Sequence, residues 1–143
     1  MDFKTISFGS PQYQQSLALR QLVLRTPLGL ILSEIDLRNE DQQLHFGIFD
    51  QAVLAACVVI KPTNSGAIAK LRQMAVASGF QGKNIGKILL KSVEQALKEH
   101  SFSTIELSAR TTAIGFYQKF GYQIKGQQYI EQSIPHIKMT KVC

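Results

Sequence analysis

The stretch LRQMAVASGFQGKNIGKILL, Leu71 to Leu90, changes its hydrophobic period halfway along, and that change decides the fold. Up to Val76 it closes a strand-like run that begins at Ala67. From Ile85 onward the apolar residues Ile85, Ile88, Leu89, Val93, Ala96 and Leu97 fall on one face of a helix that ends near His100. Between the two lies Gln81-Gly82-Lys83-Asn84-Ile85-Gly86, followed by Lys87. A helix start carries a partial positive charge and unpaired N–H groups, so Lys83 and Lys87 are mildly unfavourable there unless an anion sits among them. Strand, loop and helix in this order can aim backbone N–H groups at a phosphate. A P-loop does not fit: Gly82 and Gly86 are one residue too close, and Lys87 is followed by Ile88, which cannot ligate Mg²⁺. The dinucleotide fingerprint G-x-G-x-x-G is absent as well. On composition alone, a helix start with small residues and solvated lysines serves equally well.

Upstream, Leu44, Phe46 and Ile48 alternate with His45, Gly47 and Phe49 in a strand that turns at Asp50-Gln51. A second strand runs from Ala52 to Ile60 and stops at Pro62. The Asn64-Ser65-Gly66 turn leads into a third, Ala67 to Val76, and the short connections make an antiparallel meander. Downstream, Thr104 to Leu107 is a short strand that the helical crossover lets lie parallel to Ala67–Val76. Thr111 to Phe120 reads as a second helix stopped by Gly121, followed by strands at Tyr122 to Gly126 and around His136 to Val142. Near the start, Ser10 caps a helix opened by Pro11 that runs to about Arg25 and is ended by Pro27 and Gly29; Ser33 to Gln43 holds a short helical turn. The expectation is a single α+β domain over residues 1–143, with a mixed, mostly antiparallel sheet of six or seven strands and helices on both faces.

The bulk composition agrees. At 143 residues the chain can bury roughly 70% of the surface its unfolded form exposes, so no disulfide or metal is needed for stability. It is 45% hydrophobic and 18% charged, in the ordinary globular range, without repeats or low-complexity tracts. Met1 to Ser10 lacks the pattern of a signal peptide, and the longest apolar run, Ala52 to Ile60, is far short of the ~20 residues that span a bilayer. These features predict a cytoplasmic protein with no membrane partner. Cys57 reads as core and Cys143 as a terminal residue, so no bridge is expected. The net charge of +6 favours anionic partners. The lysines and arginines are dispersed, however, and no arginine-rich arm, zinc-finger spacing or aromatic-laced basic motif points to nucleic acid.

The Gln81–Gly86 stretch resembles the acetyl-CoA-binding signature of the GCN5-related N-acetyltransferase (GNAT) superfamily, Q/R-x-x-G-x-G/A, with Asn84 standing where glycine is usual. Asparagine is among the few residues that tolerate positive φ, so the turn can survive the change. TTAIGFYQKFGY, Thr111 to Tyr122, resembles a second signature of the same family, and HFGIFD and IPHIKM are similar to segments of small bacterial ElaA-like members. The likeness covers nearly the whole chain downstream of Leu44.

Acetyl transfer from a thioester to an amine needs a neutral amine, a stabilised oxyanion and a proton for the departing thiolate. The resemblance implies acetyl-CoA as donor and a small-molecule or peptide amine as acceptor. It also implies a bulge in Leu71–Val76 that frees N–H groups near Met74 and Val76 for the thioester carbonyl and the pantetheine arm. Gln81, Gly82, Lys83, Asn84, Ile85, Gly86 and Lys87 would bind the pyrophosphate, and Arg110 takes the place of a coenzyme-contacting asparagine. Tyr117 aligns with the family's proton donor, and a phenol matches a thiolate well enough in basicity for the task. Its alternative is a core aromatic, since Ala113, Phe116 and Phe120 share its helical spacing. Gly115, inside a helix at a cost of ~1 kcal/mol, marks a close approach that pantetheine would make. For the general base His136 comes first, with Glu34, His45, Glu106 or a water chain as alternatives. No metal spacing or serine nucleophile motif is found, so direct attack without a covalent enzyme intermediate is expected. A CoA-binding sensor without turnover and a basic nucleic-acid module are the rival readings. The apolar cluster from Leu22 to Leu32 is expected in the core or in a homodimer contact rather than in a substrate pocket.

Overall fold

A computed structural model describes residues 1–143. The strands are β1 (Asp2–Thr5), β2 (Leu44–Asp50), β3 (Val53–Pro62), β4 (Ile68–Val76), β5 (Thr104–Arg110), β6 (Gln123–Glu131) and β7 (Ile134–Val142). They form a single seven-stranded sheet in the order β1-β2-β3-β4-β5-β7-β6. Only β4 and β5 run parallel, as the helical crossover between them demands. The helices are α1 (Pro11–Arg20), α2 (Glu34–Leu37), α3 (Ile85–Glu99) and α4 (Ile114–Lys119).

The α1 start follows its sequence: the Ser10 hydroxyl accepts from Tyr13 N–H at 3.1 Å, and Pro11 fills the first turn. Beyond Arg20 the helix widens into a π-helical turn, Gln21–Arg25, and then tightens into a 3-10 turn, Thr26–Leu28. Ser33 and Asp36 cap α2 reciprocally.

Two cores lie on opposite faces of the sheet. Phe46, Ile48, Ala56, Val58, Ile60, Ala69, Leu71, Ile105 and Leu107 pack with Leu89, Leu90, Val93 and Leu97 of α3. On the other face Phe49, Leu54, Cys57 and Ala75 pack with Tyr13 and Leu19 of α1. β3 is buried from Leu54 to Ile60 because helices cover it on both sides.

β4 changes face midway. Arg72 pairs with Val59 and Ala75 with Cys57, so Gln73 and Met74 together oppose Val58 in a bulge, and Gln73 has φ +50°. The extra residue reverses the alternation: Ala69 and Leu71 face α3, whereas Ala75 faces α1. The bulge also ends the partnership with β5. Pairing between them stops at Leu71 and Leu107, and from Ser108 to Arg110 β5 is bonded only to β7. A wedge therefore opens between β4 and β5 in the middle of the sheet.

Several expectations shift: β5 runs past the expected Leu107 to Arg110, β7 begins at Ile134, and the helix expected from Thr111 opens as a 3-10 turn before α4. β1 is an additional edge strand of four residues, too short to show an alternation. β6 extends from the expected Gly126 to Glu131, and every one of its residues is exposed, so no apolar period marks it. In the cluster from Leu22 to Leu32, Leu22 is 60% and Ile31 81% exposed, so neither is core, and Leu24 lines the cleft described next.

Candidate active site

The wedge holds a cleft of about 370 Å³. Met74 reaches it from β4, Arg110 from β5, Tyr117 from α4 and His136 from β7, so four of the residues singled out in the sequence share one cavity. Val76 and the Gln81–Lys87 loop are not in its lining. They stand beyond its β4 end, and the two regions meet at Gly86. A Cβ built there would lie 3.5 Å from both Met74 Cε and Phe116 Cζ, so the first turn of α3, the bulge and α4 are in van der Waals reach of one another. Ala77 N–H donates to Ala55 O at 2.8 Å. Strand alternation then turns Val76 N–H to the opposite edge, where β5 has already left.

The loop is built from donors. Six consecutive backbone N–H groups, Gly82 to Lys87, donate to no group of the protein; the first bond of α3 is Ile88 N–H to Asn84 O at 3.0 Å. Any helix leaves its first few donors free, and this turn adds more ahead of them. Gly82 at φ +77° and Asn84 at φ +61° are both left-handed, the conformation the asparagine was expected to tolerate. The Gln81 side chain ties the loop back to β4 by donating to Val76 O at 3.3 Å. Lys83 Nζ sits over the Phe80 ring, 5.7 Å from its centroid.

Tyr117 packs edge-on against Phe116 and Tyr122, at centroid distances of 5.2 and 5.6 Å, so the expected core contacts and the cleft position hold together. Burial pushes its phenol up to about 12. It is therefore protonated at neutral pH, the state a proton donor needs. A Cβ built on Gly115 meets nothing within 4 Å, so the close approach expected there is not made by the protein itself.

His136 is buried and donates from Nδ1 to Ile134 O at 2.7 Å. That bond puts a proton on Nδ1, so in the neutral imidazole Nε2 is the acceptor. Nε2 lies 3.7 Å from Glu131 Oε2, and Glu131 also accepts from Ser108 Oγ at 3.0 Å. The other base candidates are elsewhere. His45 is 3% exposed, bonds to Glu40 O through Nε2 at 2.8 Å, and is kept neutral chiefly by burial. Glu34 is exposed on α2, and Glu106 is bridged to Lys138 at 3.2 Å. Neither lines the cleft.

The sequence reading missed a buried charge network behind the bulge. Arg20 and Glu40 are 0% and 1% exposed and form a two-pronged ion pair. Glu40 also accepts from Tyr13 Oη at 2.6 Å and from Arg72 Nη1 at 2.8 Å. Burial alone would raise the Glu40 carboxyl, but the hydrogen bonds from Arg20, Tyr13 and Arg72 outweigh it and hold it at about 2. Arg20 Nε donates to Gln73 Oε1 at 2.7 Å, which anchors the left-handed bulge residue to α1. The sequence carried one signal: Tyr13, Ser16 and Arg20 fall at i, i+3 and i+7, a polar stripe on the buried face of an otherwise ordinary helix.

The site is thus an α+β sheet splayed beside an amide-lined helix start. The family model described as acetyltransferase (GNAT) domain matches residues 31–143, and the chain belongs to that family. Among curated relatives, the uncharacterized protein YyaT of Bacillus subtilis is 40% identical over 76 residues, covering 53% of this chain and 51% of that one. The uncharacterized N-acetyltransferase YjcF of the same organism is 29% identical over 116 residues, covering 76% of each. The chain spans about half the length of the first two curated relatives it matches. Escherichia coli ElaA superposes with a TM-score of 0.86 at 22% identity, over 99% of both chains. An aminoglycoside 6'-N-acetyltransferase complexed with coenzyme A does so at 0.79 and 20%, over 99% of this chain and 97% of the other. At these identities the structural likeness is one of fold. No helix is long and apolar enough to cross a membrane.

Proposed function

We propose that the protein transfers an acetyl group from acetyl-CoA to a primary amine by direct attack. The observation that carries this reading is the row of unpartnered amides from Gly82 to Lys87, placed where the bulge separates β4 from β5. Such a row suits a diphosphate, and Lys83 and Lys87 then complement the ligand. The coenzyme-complexed acetyltransferase of the same fold adds support.

Acetyl-CoA, when bound, supplies an acetyl group already activated as a thioester. The protein's share is positioning and proton traffic. Gln81 to Lys87 hold the anionic end. The N–H groups near Met74 and Val76, at the bulge and on the edge that β5 vacates, would serve the thioester carbonyl, as negative charge develops on its oxygen, and the pantetheine arm. His136 Nε2 accepts the proton of the attacking amine, and Glu131 beside it stabilises the imidazolium. Tyr117 returns a proton to the departing sulfur.

Thiol release measured across an amine panel tests the reading. Tyr117→Phe should lower kcat about 10²- to 10⁴-fold, the usual range for a lost general acid, while leaving thermal stabilisation by acetyl-CoA intact. Stabilisation by acetyl-CoA with no thiol release for any amine would identify a coenzyme-binding sensor instead. Absence of both would remove the coenzyme from the account.

A further inference from the structure

We infer that the acceptor is a small amino-carboxylate, an α-amino acid or close analogue, whose carboxylate docks on Arg110 while its amine meets His136; this rests on the acetyl-transfer reading above. The charge arrangement of the cleft leads there. Four basic side chains line it, Arg25, Lys70, Arg72 and Arg110, against two acidic ones, Asp36 and Glu131. Arg25 is bonded to Asp36 at 2.9 Å, and Arg72 to Glu40 at 2.8 Å. Glu131 faces His136 and Ser108. Lys70 and Arg110 make neither an ion pair nor a side-chain hydrogen bond within the protein. Glu131 is the one lining carboxylate not bonded to an arginine or lysine, so the cleft keeps an excess of positive charge, with Lys70 and Arg110 bonded to no anion.

Register turns this charge into a substrate shape. Arg110 and His136 are Cα partners across β5 and β7. Residues directly opposite in an antiparallel pair share a face, with Cβ atoms about 4.5–5.5 Å apart. Arg110 and His136 thus leave the sheet side by side and line the same cleft, so an anion on the Arg110 guanidinium can come within reach of His136 Nε2, the nitrogen that the Nδ1 bond leaves as acceptor in the neutral ring. An α-amino carboxylate separates its amine from its anion by two bonds, which matches that short spacing. The forked guanidinium also matches the two oxygens of a carboxylate. A volume of about 370 Å³ is near the lower end for small-ligand sites and suits a compact acceptor. The same positive balance disfavours polyamines and other polycations.

The test is steady-state acetyl transfer with the twenty α-amino acids, each paired with its carboxamide, alongside spermidine and phosphoethanolamine. The expected result is that at least one amino acid exceeds its carboxamide in kcat/KM by about 10- to 100-fold, the worth of a charge-assisted hydrogen-bond pair. Arg110→Gln should collapse that ratio by raising the acceptor KM without moving the acetyl-CoA KM, and Arg110→Lys should restore only part of it. The inference is overturned if carboxamides equal their acids, if spermidine or phosphoethanolamine outperforms every amino acid, or if Arg110→Gln raises the acetyl-CoA KM instead. The last outcome would return Arg110 to the coenzyme. No turnover with any amine, while acetyl-CoA still raises Tm, also overturns it and leaves coenzyme binding standing. Failure of acetyl-CoA to raise Tm is the separate result that removes the underlying reading.

Discussion

The loop ahead of α3 and the network behind the β4 bulge are opposites. From Gly82 to Lys87 a row of backbone donors has no partner. Around Glu40, two arginines and a tyrosine converge on one buried carboxylate. Both regions contain a left-handed residue that is not glycine, Asn84 in one and Gln73 in the other. The difference shows how the fold divides its labour. Unsatisfied donors are kept where a ligand can reach them, and a strained backbone is held in place where nothing should move.

The sharpest way to break the comparison is to take the carboxylate out of the network. Glu40→Ala leaves Arg20 charged, fully buried and unpaired, which should cost about 3–5 kcal/mol in urea unfolding. The same carboxylate gives a pH signature. Its folded-state value of about 2 lies below its ordinary 4.5, so its stabilising contribution is complete above about pH 4.5 and is lost as the pH falls through 2. Glu40→Gln should flatten unfolding free energy across that window. An unchanged acid slope in the variant would show that other carboxylates carry it.

A smaller effect is expected where network and site touch. Gln73→Ala removes the acceptor of Arg20 Nε–H and should cost about 1–3 kcal/mol. If the bulge aims the Met74 N–H, kcat should fall about 10- to 100-fold while the acetyl-CoA KM holds, since small displacements of a polarising group are expensive. Gln73→Glu keeps an acceptor on Arg20 and should recover most of the loss. Equal losses in both variants would detach the network from catalysis and leave it a stabilising feature.

This division explains what the sequence disclosed. The meander, the crossover helix and the parallel β4–β5 pair were readable because each rests on local periodicity and short connections. Tyr117, Met74 and Arg110 came from a family resemblance and His136 was the first of several candidate bases; that the four share one cleft is something spacing alone could not have shown. The Arg20–Glu40 pair was not readable, because it joins residues twenty positions apart whose only local trace is a polar stripe on α1. β6 was underestimated for the converse reason: an edge strand exposed on both faces is held by its ladder to β7 and needs no apolar alternation. Long-range pairing and polar burial are the two features that local pattern does not encode.

The mildest substitution probes the loop by asking whether Asn84 is a concession or a choice. A non-glycine residue in the left-handed region costs roughly 1–2 kcal/mol, and less for asparagine, whose short polar side chain eases it. Glycine there would relieve that strain but would add back about 0.5–1 kcal/mol of unfolded-state freedom. The two nearly cancel, so Asn84→Gly should change Tm by only a degree or two and leave acetyl-CoA affinity within about twofold, because the N–H groups on either side keep their direction. Asn84→Ala lacks both remedies and should lose about 1 kcal/mol and weaken coenzyme binding. Isothermal titration and thermal melts on the pair decide the matter. A glycine variant that binds much less tightly would mean the asparagine side chain itself touches the ligand, and the loop would then be more than a row of backbone donors.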